Sequence, residues 1–136
     1  MNSSSGYREI EHTADWELEV WAPDLPSLFE QAARGMYHLS GTRLKESSHL
    51  ERRIKLQAVD TESLLVKFLS EILFMGQEEG VAFDAFELVI NGNSLSARLA
   101  GGPLASLNKE IKAVTYHNLA IHQTTQGLKV NIVFDV

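Results

Sequence analysis

The chain predicts an α+β domain, a largely antiparallel sheet with two main helices packed to one side, in the order ββαβαββββ. Three observations carry this prediction. Short runs alternate apolar and polar residues with the two-residue period of half-buried strands. Two longer runs repeat apolar residues at helical spacing. The strand-like runs are joined by hairpin-like connections, which favour antiparallel pairing.

Tyr7 to His12 is a short candidate strand, and Trp16 to Trp21 a better one, with Trp16, Leu18 and Val20 on one face. His12-Thr13-Ala14-Asp15 between them reads as a turn or a bulge. Asp24 is an N-cap, and Pro26 is tolerated in a first helical turn. Leu25, Leu28, Phe29, Ala32, Met36 and Leu39 then define an amphipathic helix over residues 25–40, stopped by Gly41. Lys45 to Ser48 is a polar loop, and Leu50 to Val59 alternates again. Asp60-Thr61-Glu62-Ser63 opens the second helix, with acidic residues where the helix dipole favours them. Its stripe of Leu64, Leu65, Phe68, Leu69, Ile72 and Leu73 must pack on something, and Gly80 closes it.

Val81 to Ile90 and Leu95 to Leu99 are strands joined by Asn91-Gly92-Asn93, residues that accept the positive φ of a tight hairpin. Gly101-Gly102-Pro103 reads as a break. Leu107 to Lys112 fits no element clearly. Ala113 to Gln123 reads as extended, with Val114, Tyr116, Leu119 and Ile121 as core candidates and a parity shift near Asn118 that suggests a bend. Thr124 to Gly127 turns into a last strand, Leu128 to Val136, where Val130, Ile132 and Phe134 alternate with Lys129, Asn131 and Asp135.

The 136 residues suit one domain, 1–136, with residues 1–6 as a flexible polar lead-in. With 44% hydrophobic and 22% charged residues, the composition is that of a folded globular chain. A formal net charge of -6 argues against a dedicated nucleic-acid binder, so little direct nucleic-acid contact is expected. The absence of cysteine excludes disulfides, thiolate metal sites and a cysteine nucleophile, and is compatible with a reducing cytosol. Neither a signal-peptide pattern nor a membrane-length apolar run is visible, and a cytoplasmic location is the expectation.

Chemistry-bearing residues gather at the chain ends. If the last strand is docked, the Val136 α-carboxylate is held one residue from the Asp135 carboxylate. Two anionic groups at one point repel unless a cation or basic side chain lies between them, and a hard cation such as calcium takes such oxygen ligands. A solvated chain end that carries an Asp is the plain alternative. If the last strand pairs beside the first ones, His12 and Asp15 join the same point. Each has a plain reading too, His12 as a packed histidine and Asp15 as an Asx turn. Asp60 is either the helix N-cap or a further oxygen near the site. Lys112 is a candidate contact for a phosphate or a partner carboxylate, or a solvated strand lysine. His117 is a further candidate, with no partner visible in the sequence. The chain has no phosphate-binding Gly-rich loop, no Gly-x-Ser-x-Gly turn and no zinc spacing among its histidines. These absences tilt the reading toward a binding or accessory role.

His12-Thr13-Ala14-Asp15 after a short strand, Lys112-Ala113-Val114-Thr115-Tyr116-His117 and the terminal Val133-Phe134-Asp135-Val136 together resemble the archease family. The stretch from Asp60 to Leu73 is similar to that family's second helix. The resemblance covers Tyr7 to Val136, and the segment from Gly101 to Leu107 contributes nothing to it. It implies an α+β accessory protein rather than a self-contained enzyme. Such a protein would act on an RtcB-type RNA-splicing ligase, promoting its guanylylation and multiple turnover. It also implies a calcium-type site on Asp15, Asp135 and Val136, where family members often end in Ile. Lys112 falls on a functionally important lysine, Asp60 on a family-typical position, and His12 and His117 on possible site-lining or partner-contact positions. Calcium or a similar divalent cation is the implied cofactor, the ligase the implied partner, and no membrane is involved. A general chaperone or modifier of RNA-processing proteins is the alternative, and a small metal-dependent enzyme a third reading.

Overall fold

The computed structural model describes residues 4–10, 15–46 and 49–136. The strands are β1 (Gly6–Ile10), β2 (Trp16–Ala22), β3 (Arg43–Leu44), β4 (Leu50–Gln57), β5 (Val81–Asn91), β6 (Ser94–Ser106), β7 (Ala113–Val114), β8 (His122–Thr124) and β9 (Gly127–Asp135). The helices are α1 (Leu25–Ser40) and α2 (Thr61–Glu79). The α+β class and the element order follow the sequence reading, with two short strands added. Gly6 already belongs to β1, so the polar lead-in is shorter than expected, and residues 1–3 lie outside the described residues.

Both helices begin and end as their sequences dictate. The Asp24 carboxylate accepts from the Ser27 N–H at 2.9 Å and the Asp60 carboxylate from the Ser63 N–H at 2.7 Å, satisfying first-turn donors that have no partner inside the helix. At the other ends Gly41 and Gly80 take left-handed φ values of 67° and 65°.

The strands form two sheets rather than one, with every pairing antiparallel. In the first, β1, β2 and β9 lie side by side, and β7 and β8 pair with opposite ends of the far edge of β9. In the second, β6 is central, with β5 on one side and β4 then β3 along the other. Helix α1 packs on β1 and β2 and reaches β5, while α2 packs on β4, β5, β6 and β7, so the helices join the two sheets. One core results. Leu18, Ile132 and Phe134 from the first sheet, Leu95 and Leu99 from the second, and Phe29 and Phe68 from the helices are all essentially inaccessible. The Phe29 and Phe68 rings stack across the helix pair with centroids 5.8 Å apart.

Two local readings are corrected. Gly101-Gly102-Pro103 is not a break, because β6 runs through it to Ser106. Gly101 allows this, since a Cβ there would lie 2.0 Å from the Ala82 carbonyl oxygen and 2.6 Å from the Phe83 Cα. The two backbones approach beside the irregularity in β5 between Phe83 and Ala85, and only a residue without a side chain fits. Residues 113–123 are not one strand but β7 and β8, separated by a loop in which Asn118 takes φ 51°. Tyr116 consequently leaves the core and is 59% exposed, whereas Val114 is buried and Leu119 and Ile121 are half-buried. Ahead of the expected polar loop at Lys45 to Ser48, of which residues 47–48 lie outside the described residues, β3 adds two residues anchored on the far end of β6.

Candidate functional site

The candidate site is set by the register of β2 on β9. Trp16 faces Phe134, Leu18 faces Ile132 and Val20 faces Val130, all directed into the core. Continuing that register by one residue brings Asp15, just before β2, opposite Asp135. Both residues therefore lie at the end of the sheet where the pair Trp16–Phe134 closes the β2–β9 ladder. Both residues are exposed, and neither carboxylate has a hydrogen-bond or ion-pair partner among the described residues. Val136 follows directly and is half-buried against the core, which fixes the strand end.

Lys112 enters from the other side of β9. Its backbone N–H donates to the Asp135 carbonyl at 2.7 Å. Further along, Thr115 gives both its N–H and its hydroxyl to the Val133 carbonyl, each at 3.0 Å. The Lys112 bond is one residue out of the register that pairs Ala113 with Asp135, so the strand is irregular where it meets the chain end. The Lys112 side chain is exposed, with no ion pair among the described residues. Lys112, Asp135 and Val136, and Asp15 just before β2, therefore lie toward the same end of this sheet.

Sequence reasoning missed Glu17. It lies just beyond Asp15 on β2 and receives a hydrogen bond from the Asn131 side-chain amide at 2.7 Å. The signal was present as alternation, with Asp15, Glu17 and Glu19 interleaved with Trp16, Leu18 and Val20. Glu19 continues the acidic row, but it is met by Lys129 at 2.9 Å and Arg8 at 2.6 Å. The Lys129 hydrogen bond, helped by the charges of Lys129 and Arg8, holds its carboxyl below the usual range against the opposing effect of burial. Lys129 and Arg8 thus meet this row at Glu19, while Asp15 and Asp135 have no ion-pair partner among the described residues.

The other expected residues lie elsewhere. Asp60 caps α2, and the Ser63 N–H hydrogen bond is the main cause of its lowered pKa. The start of α2 meets the β7–β8 loop, where the Glu62 carboxylate accepts from the Ile121 N–H at 3.0 Å. The far end of α2 reaches toward Lys112, where the Gln77 amide donates to the Ile111 carbonyl at 3.1 Å. Asp60 and Gln77 are about 25 Å apart along the helix axis at ~1.5 Å per residue, so Asp60 is not brought to the sheet corner. His117 is exposed in the β7–β8 loop, its ring beside the Asn118 amide at 3.3 Å. His12, with residues 11–14, lies outside the described residues.

The donors at the corner are all oxygen, as a hard cation requires. Among the described residues no cluster of three or more His, Cys, Asp or Glu side chains could hold a metal. A cation there would need the Val136 carboxyl group, backbone carbonyls or water besides Asp15 and Asp135. In type, though not in number of side chains, the residues fit calcium.

The fold and this carboxylate-bearing corner describe a small two-sheet α+β domain whose distinctive groups lie where its second strand, β2, pairs with its last, β9. A family model described as the Archease protein family (MTH1598/TM1083) matches residues 7–136. The chain belongs to the archease family. It is 36% identical to a protein archease of Methanosarcina barkeri, over 98% of this chain and 99% of that one. Against a protein archease of Methanosarcina mazei the identity is 33%, over 96% and 95%. Among solved structures it is similar to Methanobacterium thermoautotrophicum protein 1598, with a TM-score of 0.76, 28% identity and coverage of 96% and 99%. It is also similar to an archease from Thermotoga maritima described as a possible chaperone, with a TM-score of 0.72, 25% identity and coverage of 95% and 96%.

Proposed function

We propose that this chain is an accessory protein that activates an RtcB-type RNA-splicing ligase, promoting its guanylylation and multiple turnover. The observation that carries the reading is the placing of Asp15, Asp135 and Lys112 toward the same end of one sheet. The β2–β9 ladder, closed by Trp16–Phe134 next to Asp15, and the Lys112 N–H bond to Asp135 support this reading. In this reading Asp15, Asp135 and the Val136 carboxyl group hold calcium or a similar divalent cation. When bound, the cation supplies the positive charge that relieves repulsion among these carboxylates. The exposed Lys112 ammonium supplies a positive contact for the ligase or its nucleotide. The chain would raise turnover by favouring the nucleotide-competent ligase conformation, which requires that it bind that conformation more tightly than the other. It would act without catalysis of its own, in the cytoplasm.

The test is ligase guanylylation under multiple turnover, with the cognate ligase in excess, GTP, its metal and a broken RNA. Stimulation at substoichiometric amounts, lost in Asp15→Ala and on deletion of Val136, is the expected result. An active ligase that is not stimulated overturns the reading. A second reading, a general chaperone or modifier of RNA-processing proteins, draws on the description of the Thermotoga maritima neighbour as a possible chaperone. It expects protection of unrelated unfolding proteins from aggregation.

A further inference from the structure

The second sheet ends in β5 on one side and in β4 and β3 on the other. The β4 edge is guarded. Arg52, Arg53 and Lys55 lie along it, the Lys67 ammonium donates to the Gln57 carbonyl at 2.7 Å, and Arg52 donates to the Glu51 carbonyl at 3.2 Å. Basic side chains of this kind keep an edge from pairing with another chain. The start of β5 is guarded as well. Helix α1 reaches it there, where the Tyr37 hydroxyl accepts from the Phe83 N–H at 3.2 Å and Arg34 donates to the Asp84 carbonyl at 3.1 Å.

From Ala85 to Asn91 these guards stop. The stretch has no proline, lysine or arginine, and its ladder with β6 is regular. Among the described residues no second strand pairs with it, and no backbone group outside the β5–β6 ladder bonds to it. The hairpin turn decides which of its groups are left over. Gly92 and Asn93 form a two-residue loop with Gly92 at φ 58°, the glycine-first turn that suits a hairpin. Asn91 and Ser94, which flank that loop, are then a hydrogen-bonded pair. Alternation from there turns the N–H and C=O groups of Phe86, Leu88 and Ile90 away from β6, to the free edge. Their side chains are half-buried against the core, while Glu87 and Val89 stand on the open face, Val89 58% exposed.

This edge is complementary to itself. Antiparallel pairing with a second copy, about a two-fold axis at Leu88, sets Leu88 against its own copy and Phe86 against the second copy's Ile90. Every outward N–H and C=O of these residues then gains a partner, and the half-buried apolar row becomes continuous. On the open face Glu87 meets the second copy's Val89, and its charge keeps Arg98 at 3.7 Å. An axis at Glu87 would set two carboxylates directly opposite each other, which is unfavourable. An axis at Val89 would set Phe86 against the turn at Gly92. One register remains.

We propose that residues 85–91 are a self-association edge, through which two copies of this chain pair and join their second sheets into one. The surface stands independently of the ligase reading. One pair of short strands falls short of the roughly 1,200–2,000 Å² of a stable interface, so the dimer is weak and depends on concentration.

The test is sedimentation velocity of the full chain from about 10 μM to about 1 mM, the range of a weak complex. A monomer–dimer equilibrium is expected. Val89→Glu sets a second carboxylate against Glu87 of the other copy, twice by symmetry, and should weaken the dimer about fivefold. Val89→Lys sets a cation there and should tighten it by about the same factor. Both changes are on an exposed side chain, so the monomer should keep its fold. In the unmutated chain, amide exchange at Phe86, Leu88 and Ile90 should slow as concentration rises, while Glu87 and Val89, already paired to β6, should not change. A chain that stays monomeric throughout, a dimer whose protection centres elsewhere, or one indifferent to the sign of the charge at position 89 each overturn the proposal. Protection of these amides only on adding the ligase would also overturn it, and would assign the edge to that partner.

Discussion

The Lys112 N–H and the Asp135 carbonyl oxygen are 2.7 Å apart, and this bond ties the segment between β6 and β7 to the end of β9. Ile111 is buried in the core and 2% exposed, while its neighbour Lys112 projects into solvent. Packing on one side and a backbone bond on the other hold Lys112 in place. The lysine is therefore anchored through its main chain, and its ammonium is free to meet a partner.

Under the proposed function, Asp135→Asn and Asp15→Asn should each weaken calcium binding at least tenfold, measured by titration calorimetry. Each keeps the side chain's shape and removes its charge, and a calcium site depends strongly on ligand charge. Stimulation of the ligase should fall in parallel. Full stimulation by a variant that no longer binds calcium would separate the ion from the activity. Residues added after Val136 should have the same effect as the Asp substitutions, because they remove the terminal carboxylate from that position.

Asp60→Ala should behave differently. It removes the acceptor of the Ser63 N–H at the start of α2, and so should lower the melting temperature. At a temperature where it is folded, calcium binding and ligase stimulation should match the unmutated chain, because Asp60 lies at the far end of α2 from Lys112. A folded Asp60→Ala chain that fails to stimulate would give Asp60 a direct role.

The pH dependence of stability should carry a contribution from Glu19. Its carboxyl is held below the usual range by Lys129 and Arg8, so the unfolded chain takes up the proton first as pH falls. The sign follows from linkage. The stabilisation is present in full above the unfolded value of about 4.3 and is lost as pH falls through the lower folded value. Urea midpoints of the native chain and Glu19→Gln, compared from pH 6 down to ~3, should therefore converge at the acidic end. Added salt should narrow the difference at pH 6, because Arg8 is 64% exposed and its charge is screened. A gap that widens on acidification would contradict this assignment.

Gly101→Ala should destabilise the fold by about 2 kcal/mol or more, the range for forcing added atoms into a closely packed site. The obstacle is backbone, the Ala82 carbonyl and the Phe83 Cα, which cannot swing aside as a side chain can. Chemical denaturation checks this directly. A neutral Gly101→Ala would mean that β6 can move away from β5 at little cost.

Local patterns were legible in the residues themselves. Asp24 with Gly41, and Asp60 with Gly80, bound the two helices because caps act within a few residues of the backbone groups they satisfy. The alternation of Val130, Ile132 and Phe134 marked the buried face of β9 for a similar reason, since the pleat alone sets it. The acidic interleaving that includes Glu17 was equally visible but was read only for its apolar partners.

Tertiary structure decided what depends on two distant segments meeting. Nothing local to Gly101-Gly102-Pro103 shows that β5 bulges beside it, so a strand that needs glycine looked like a break. Tyr116 had the composition of a core residue, and the left-handed Asn118 and the anchoring of Thr115 on Val133 carried it into solvent. The division into two sheets and the bond between the Lys112 N–H and the Asp135 carbonyl have the same origin. Capping and strand alternation are short-range consequences of covalent geometry. Register between remote strands, and the space left between packed helices and sheets, are fixed only when the whole core closes.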